Sequence, residues 1–257
     1  MEVPNTKWLD RSAYEPDITV VVLLFNGKNT PIPHTVGVYT PEWVDKLYRG
    51  ISRNYSGTFD FICLSDQNYK FKEPIRSVRL SMSVDQYGWL SLLDMYRPDL
   101  CKGYRVTLGL DTIITGYLDD IFNYKPKTKI GLCEDPFYPE VVCNAISIAG
   151  PEFCKEFWKL WEWKKESWLR ECQLKLNDQG REIKAPSEME VLRKYYSDSE
   201  RLDVKFHNRI LSYKKHLEQF VLVDDNPALL QGSSIVYFHG VPKPHQIESK
   251  WIARHWV

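Results

Sequence analysis

The eight-residue run Ile18 to Phe25 (ITVVVLLF), apolar but for Thr19, limits the folds open to this chain more than any other feature. A run this dense in β-branched residues reads as a central strand with both faces turned away from water. Eight residues are far too few to cross a bilayer. Such a strand needs covering layers on both sides, and the residues that follow supply them. A loop carrying Gly27, Pro31 and Pro33 leads to Pro41, which opens a helical pattern with Thr40 as N-cap and Glu42 in the first turn. Val44, Leu47, Tyr48 and Ile51 then recur at helical spacing. Phe59–Leu64 reads as a second strand, Ile75–Leu80 as a third, and Gly88–Tyr96 as helical up to Pro98. Val106–Leu110 is a fourth strand ending on Asp111. Strands alternating with helices predict an α/β fold: a mixed, mainly parallel sheet flanked by helices. Ligands of such sheets bind beyond the carboxyl ends of the strands, where Asp111 lies.

The second half changes character. Lys129–Leu132 and Ala145–Ile148 read as strands, and Gly150-Pro151 opens a long helix to about residue 173. Phe153, Phe157 and Trp161 repeat every four residues along it, while Trp158, Trp163 and Trp168 place rings on other faces, so part of it is expected to be buried all round. Glu162–Lys165 and Glu166–Arg170 stand at ion-pair spacing. Residues 177–187 predict a loop, 187–197 a helix, and the charged stretch 198–218 a cover for one face or a lid. Phe220–Val223 and Ile235–Phe238 predict late strands. No repeat or low-complexity tract interrupts the 257 residues, which suit one domain with residues of about 16–125 as one half and about 126–257 as the other.

Lys plus Arg and Asp plus Glu balance at 34 each, so net charge supplies no case for a nucleic-acid or membrane partner. The six cysteines form no Cys-x-x-Cys pair or metal-finger spacing, and predict free thiols in a reducing compartment. The polar N-terminal stretch carries no apolar signal segment, which predicts a cytoplasmic protein, in the host cytoplasm if phage-encoded.

Two segments carry the chemistry. In Tyr104-Arg-Val-Thr-Leu-Gly-Leu-Asp-Thr-Ile-Ile-Thr-Gly-Tyr-Leu-Asp-Asp120, an apolar run delivers one carboxylate, Asp111. A carboxylate at the tip of a buried strand is costly unless its charge is used, as by a divalent metal carrying a diphosphate. The bland alternative is a turn former or a helix N-cap. Asp119 and Asp120 are expected to cap a short helix, Asp120–Phe122. The second segment, Ile235-Val-Tyr-Phe-His-Gly-Val-Pro-Lys-Pro-His245, delivers a His, a Gly and a Lys together. His239 is either a satisfied strand-end histidine or a ligand. Gly240 admits close approach to the backbone, and Lys243 is a cation held between two prolines. His245 and His255 are expected at the surface. Asn144, entering a strand, suits either a sugar hydroxyl or a turn.

These residues resemble the small GT-A glycosyltransferases grouped with glycosyltransferase family 8, common in bacteria and their phages. Val38–Gly50 and Phe59–Asp66 are similar to that family's opening strand, helix and strand, and Gly88–Leu100 to its helix before the metal motif. Leu108-Gly-Leu-Asp-Thr112 aligns with its Asp-x-Asp strand, Asn144 with its acceptor-side Asn, and Phe238–Pro244 with its C-terminal His and Gly-x-x-Lys-Pro element. The resemblance implies a GT-A, Rossmann-like sheet and sugar transfer from a nucleotide-diphosphate sugar, UDP-linked by preference, to an acceptor hydroxyl. It implies Mn²⁺ or Mg²⁺ held by Asp111 and His239, a diphosphate held by Gly240 and Lys243, and retention of anomeric configuration. The acceptor could be a glycan, a protein or a modified DNA base. No catalytic base is named by the pattern. The departure is at Gly109, where the family carries its first acid; a Lys of the preceding helix is also replaced, around Ser91-Leu92. Gly109 motivates a rival, a degenerate nucleotide- or sugar-binding protein without turnover. A nucleotidyltransferase is the other rival, for which Phe25–Thr30 is a poor Gly-rich loop.

Overall fold

The computed structural model describes residues 16–25, 38–176, 182–221 and 228–257. Its strands begin with β1 (Ile18–Leu24), β2 (Phe59–Ser65), β3 (Arg76–Arg79), β4 (Arg105–Leu108), β5 (Thr112–Ile114) and β6 (Ile130–Glu134). They continue with β7 (Val142–Ala149), β8 (Gln173–Leu176), β9 (Glu182–Pro186), β10 (Glu200–Arg201), β11 (Ile210–Ser212) and β12 (Ile235–Tyr237). Seven of them form one sheet in the order β10-β6-β7-β4-β1-β2-β3. β1 pairs in parallel with both β2 and β4, β2 with β3, and β10 with β6, while β7 runs antiparallel between β4 and β6. The fold is thus a mixed, mostly parallel sheet flanked by helices.

β1 is central and every residue of it is buried. Successive side chains point to opposite faces of a strand. Val20, Val22 and Leu24 accordingly join a core with Val44, Leu47 and Ile51 of the helix Pro41–Asn54, whereas Val21 and Leu23 join another with Ile62, Leu64, Leu80 and Met95. Full burial of such side chains stabilises by roughly 1.5–3 kcal/mol each. The long helix Pro151–Glu171 lays Phe153, Phe157, Trp161 and Trp168 against Ile130, Leu132 and Val142 of the antiparallel end of the sheet. Arg105 on β4 is fully buried, and its guanidinium donates to the carbonyls of Met95 (2.9 Å) and Arg97 (2.8 Å). That ties the 3₁₀ segment Gly88–Tyr96 to the strand preceding Asp111.

A second, three-stranded sheet positions the site. β12 pairs in parallel with β11 and antiparallel with β5, with Tyr237 opposite Thr112. The pairing brings the C-terminal His-Gly-x-x-Lys segment to the turn that carries Asp111, although 128 residues separate Asp111 from His239 in the sequence.

Several expectations are corrected. β4 stops at Leu108, so Asp111 sits in the turn before β5 and not on a strand tip. Asn144 lies within β7, not at its entrance. Residues 182–186 are β9, paired with β8 in a hairpin, where a loop over 177–187 is expected; 177–181 lie outside the described residues. The stretch 198–218, expected as a cover for one face or a lid, is built of β10, the helix Leu202–Lys205 and β11, with Leu202, Ile210, Leu211, Tyr213 and Leu217 buried. Glu218–Val221 is helical where a strand is expected, with 222–223 outside the described residues. Trp163 is 77% exposed, so the long helix is not enclosed on that face. Its glutamates pair with other elements, Glu156 with Lys129 and Glu171 with Lys194, in place of Glu162–Lys165 and Glu166–Arg170. The short helix is Asp119–Phe122 with Leu118 at the N-cap; Asp119 accepts from Ser56 and Asp120 pairs with Arg209. His255 is half-buried, and burial lowers its pKa. The loop glycine and prolines at 27, 31 and 33, and nearly all of Phe25–Thr30, lie outside the described residues.

Candidate functional site

Gly109, Asp111, Asn144, His239, Gly240 and Lys243 all line one cavity of about 400 Å³ beyond the ends of β4 and β12. Three further segments close it: Val38 and Tyr39 ahead of the first helix, Asp135 and Pro136 after β6, and Ser187–Met189 at the start of the helix Glu188–Tyr195.

The Asp111 end is electrostatically dense. The main-chain N–H of Phe238 donates to the Asp111 carbonyl at 3.1 Å, which continues the β5–β12 ladder into the turn. One carboxylate oxygen, Oδ2, accepts both the Tyr39 hydroxyl, at 2.9 Å, and the Lys243 ammonium. The Asp111 and Lys243 side chains are each 13% exposed, so the pair is largely shielded from water. Gly240 has φ of 61°, in the left-handed region where any side chain is strained, and this bend turns the chain from His239 toward Lys243. The His239 ring is 3.4 Å from the Ser212 hydroxyl through Nδ1 and packs edge-on against Phe137, with centroids 5.5 Å apart. Gly109 is exposed beside Asp111, and a Cβ there would lie 2.8 Å from Asp111 Oδ1. The missing side chain therefore leaves the space that the Asp111 carboxylate uses. His245 is exposed, as expected, yet it stacks edge-on against Trp43 at 5.4 Å and lines the cavity.

Another part of the lining comes from β7 and the helix after Ser187. The Asn144 side-chain carbonyl accepts from the Tyr96 hydroxyl at 3.0 Å, and that hydroxyl also bonds Ser147 at 2.9 Å. Among the described residues the Asn144 amide N–H groups have no partner, so they can donate to a ligand. Ser187 caps its helix by accepting from Met189 N at 3.2 Å. Glu188, the first helical residue, is 7% exposed and faces the cavity, and burial pushes its carboxyl up to about 7. Hydrogen bonds from its own and the Met189 backbone offset part of that cost. Arg193, one turn on, is committed elsewhere: it donates to Asp135 at 2.8 Å, Glu190 at 3.0 Å and the Val142 carbonyl at 3.2 Å.

Glu188 is the group that reading the sequence missed. Ser-Glu-Met-Glu reads as an ordinary capped, acidic helix start, and only the tertiary position of that helix makes the carboxyl a buried one. A buried, perturbed carboxyl in a cleft is a recurrent mark of a functional site.

The carboxylates and imidazoles that line the cavity are Asp111, Asp135, Glu188, His239 and His245. Among the described residues no group of three or more His, Cys, Asp or Glu side chains could hold a metal. One carboxylate and one imidazole fit a cation that draws its remaining ligands from diphosphate oxygens and water.

No family model matches the sequence, and no curated protein matches it. Solved structures do. The glycosyltransferase GlyE of Streptococcus pneumoniae TIGR4 aligns over 90% of this chain and 57% of its own, with a TM-score of 0.58 and 13% identity. The bifunctional glycosyltransferase WbbM aligns over 90% of this chain and 47% of its own, with a TM-score of 0.55 and 10% identity. The galactosyltransferase LgtC, in complex with donor and acceptor sugar analogues, aligns over 93% of this chain and 96% of its own, with a TM-score of 0.51 and 9% identity. The chain thus spans about half the length of the first two. No helix among the described residues is long and apolar enough to cross a membrane. At these identities the likeness carries the architecture: the chain is built on the GT-A fold of glycosyltransferases.

Proposed function

We propose that the chain transfers a sugar from a nucleotide-diphosphate donor, a UDP-sugar by preference, to an acceptor hydroxyl. The observation that carries this reading is the convergence of Asp111, His239, Gly240 and Lys243 on one cavity in a GT-A fold that a buried carboxyl, Glu188, also lines. A fixed cation and a side-chain-free backbone bend suit a bound diphosphate.

In this reading the Lys243 ammonium exchanges its contact with Asp111 for the diphosphate and neutralises the charge that grows on the leaving nucleotide. Gly240 lets the diphosphate lie against the main chain. Asp111 and His239 would hold Mn²⁺ or Mg²⁺, which when bound supplies further positive charge to the leaving group. Asn144 donates to a sugar hydroxyl. Glu188, with a pKa near neutrality, takes the proton of the attacking hydroxyl. The resemblance to family 8 implies retention of configuration, whereas a proton taken by Glu188 in a direct displacement gives inversion, so the anomer of the product tells whether Glu188 or the leaving diphosphate is the base.

Gly109 favours a second reading, a binding protein without turnover, because one family carboxylate is lost. Thermal shift and nucleotide release with a panel of UDP- and GDP-sugars plus Mn²⁺ separate the two. A shift with slow hydrolysis supports transfer, a shift without release under any acceptor favours binding alone, and no shift with any donor sinks both.

A further inference from the structure

The loop between β6 and β7, whose first residues line the cavity, exposes two aromatic rings. Phe137 is 52% and Tyr138 63% exposed. They are not loosely held. Asp135 Oδ1 accepts the backbone N–H groups of Phe137 (3.0 Å) and Tyr138 (3.1 Å), and Asp135 Oδ2 is pinned by Arg193. Two backbone bonds close the loop, Asp135 N to Val141 O at 2.9 Å and Val141 N to Tyr138 O at 3.0 Å. The loop is also joined to the site, since Asp135 and Pro136 line the cavity and Phe137 packs on His239. A rigid loop that holds two rings in water beside a cavity gains little folding energy from those rings. Exposed apolar surface next to a pocket marks a place where something binds.

We infer that Phe137 and Tyr138 form a stacking platform for a pyranose ring of a neutral glycan acceptor, just outside the transfer site; the inference rests on the sugar-transfer reading. The face of a pyranose that carries axial C–H bonds is flat and apolar, with hydroxyls only at its edge, so it matches an aromatic face and leaves the edge to polar partners. The surroundings select against the other acceptors. The loop carries Glu140 and Asp135, the latter paired with Arg193, with Glu134 before it, and Lys215 lies over the Phe137 ring, so the local charge is mixed and offers a nucleic-acid phosphate backbone no continuous basic surface. Two adjacent rings within one short loop match ring-sized units better than an extended peptide, which needs a strand edge or a groove.

The test uses the full chain with a UDP-sugar donor and, as acceptor probes, methyl pyranosides and short neutral oligosaccharides, with a peptide library and a DNA oligomer as comparison arms. Phe137→Ala, Tyr138→Ala and the double variant are compared with Phe137→Trp. Each ring lost should raise the glycan KM by roughly three- to tenfold while kcat falls less, and Trp should restore the affinity. Tyr138→Ala gives the cleaner signal, because Phe137 also packs on His239. The donor-induced thermal shift reports whether each variant retains its donor end. A glycan KM equal to wild type in the double variant overturns the platform and leaves sugar transfer standing. So does transfer to the peptides or the DNA but to none of the glycans. If the wild-type protein neither binds nor hydrolyses any donor, the sugar-transfer reading fails and the platform with it.

Discussion

Glu188→Gln keeps the shape of the side chain and removes its ionisation, which makes it a sensitive probe of the cavity. Burial holds the Glu188 carboxyl at about 7, against an ordinary value of 4.5. Below pH 4.5 the group is protonated in both folded and unfolded chains, and its burial costs no charge. As pH rises toward 7 the unfolded chain releases its proton while the folded chain retains it, so stability is lost over that window. The full gap is worth about 3 kcal/mol at 1.36 kcal/mol per pH unit, and about 2.5 kcal/mol of it falls between pH 5 and pH 8. Glutamine carries no such penalty. The stability of the variant relative to wild type should therefore rise by about 2.5 kcal/mol between those pH values, or roughly 5–10 °C in Tm. Urea unfolding of both proteins at pH 5 and pH 8 measures this. The buried carboxyls Asp94 and Asp203, which burial also raises, are present in both proteins and cancel. A difference in stability that does not change with pH would refute the reasoning. The same variant should lose transferase activity while still binding donor.

Lys243→Met should release Asp111 from its ammonium partner. Mn²⁺ binding without nucleotide, followed by calorimetry, should become measurable, while UDP-sugar affinity falls by roughly ten- to a hundredfold through loss of a charge-assisted contact; unchanged donor affinity would remove Lys243 from the site. Gly109→Asp adds a carboxylate but forces Asp111 Oδ1 to move, since the new Cβ would come within 2.8 Å. Tighter Mn²⁺ binding in the presence of UDP is expected, and no change would argue that Asp111 is not a cation ligand. Gly240→Ala imposes the left-handed strain of φ 61° on a residue with a Cβ, and should cost about 1–2 kcal/mol in thermal unfolding; an unaffected Tm would mean that the bend relaxes freely.

The fold was legible where local pattern and tertiary environment agree. The run at Ile18 and the Thr40-Pro41 helix start say what they become because burial on both faces and helix initiation leave direct marks in the residues. The hairpin of β8 and β9 was not legible, since its second strand is a polar segment ending in a proline. Nor was the fate of 198–218, where short strands and turns alternate too quickly for either period to register.

For the site, the sequence alone named Asp111 and the His239-Gly240-x-x-Lys243 element, because a charge after an apolar run and a glycine beside a lysine are local signals. It also singled out Gly109 and Asn144. That these residues meet was decided by the β5–β12 pairing, a long-range contact that no local spacing records. Only the tertiary structure joined Lys243 to Asp111, buried Glu188 and packed the exposed Phe137 on His239. A residue type fixes what a group can do chemically, but its charge state and its neighbours depend on which distant segments exclude water around it.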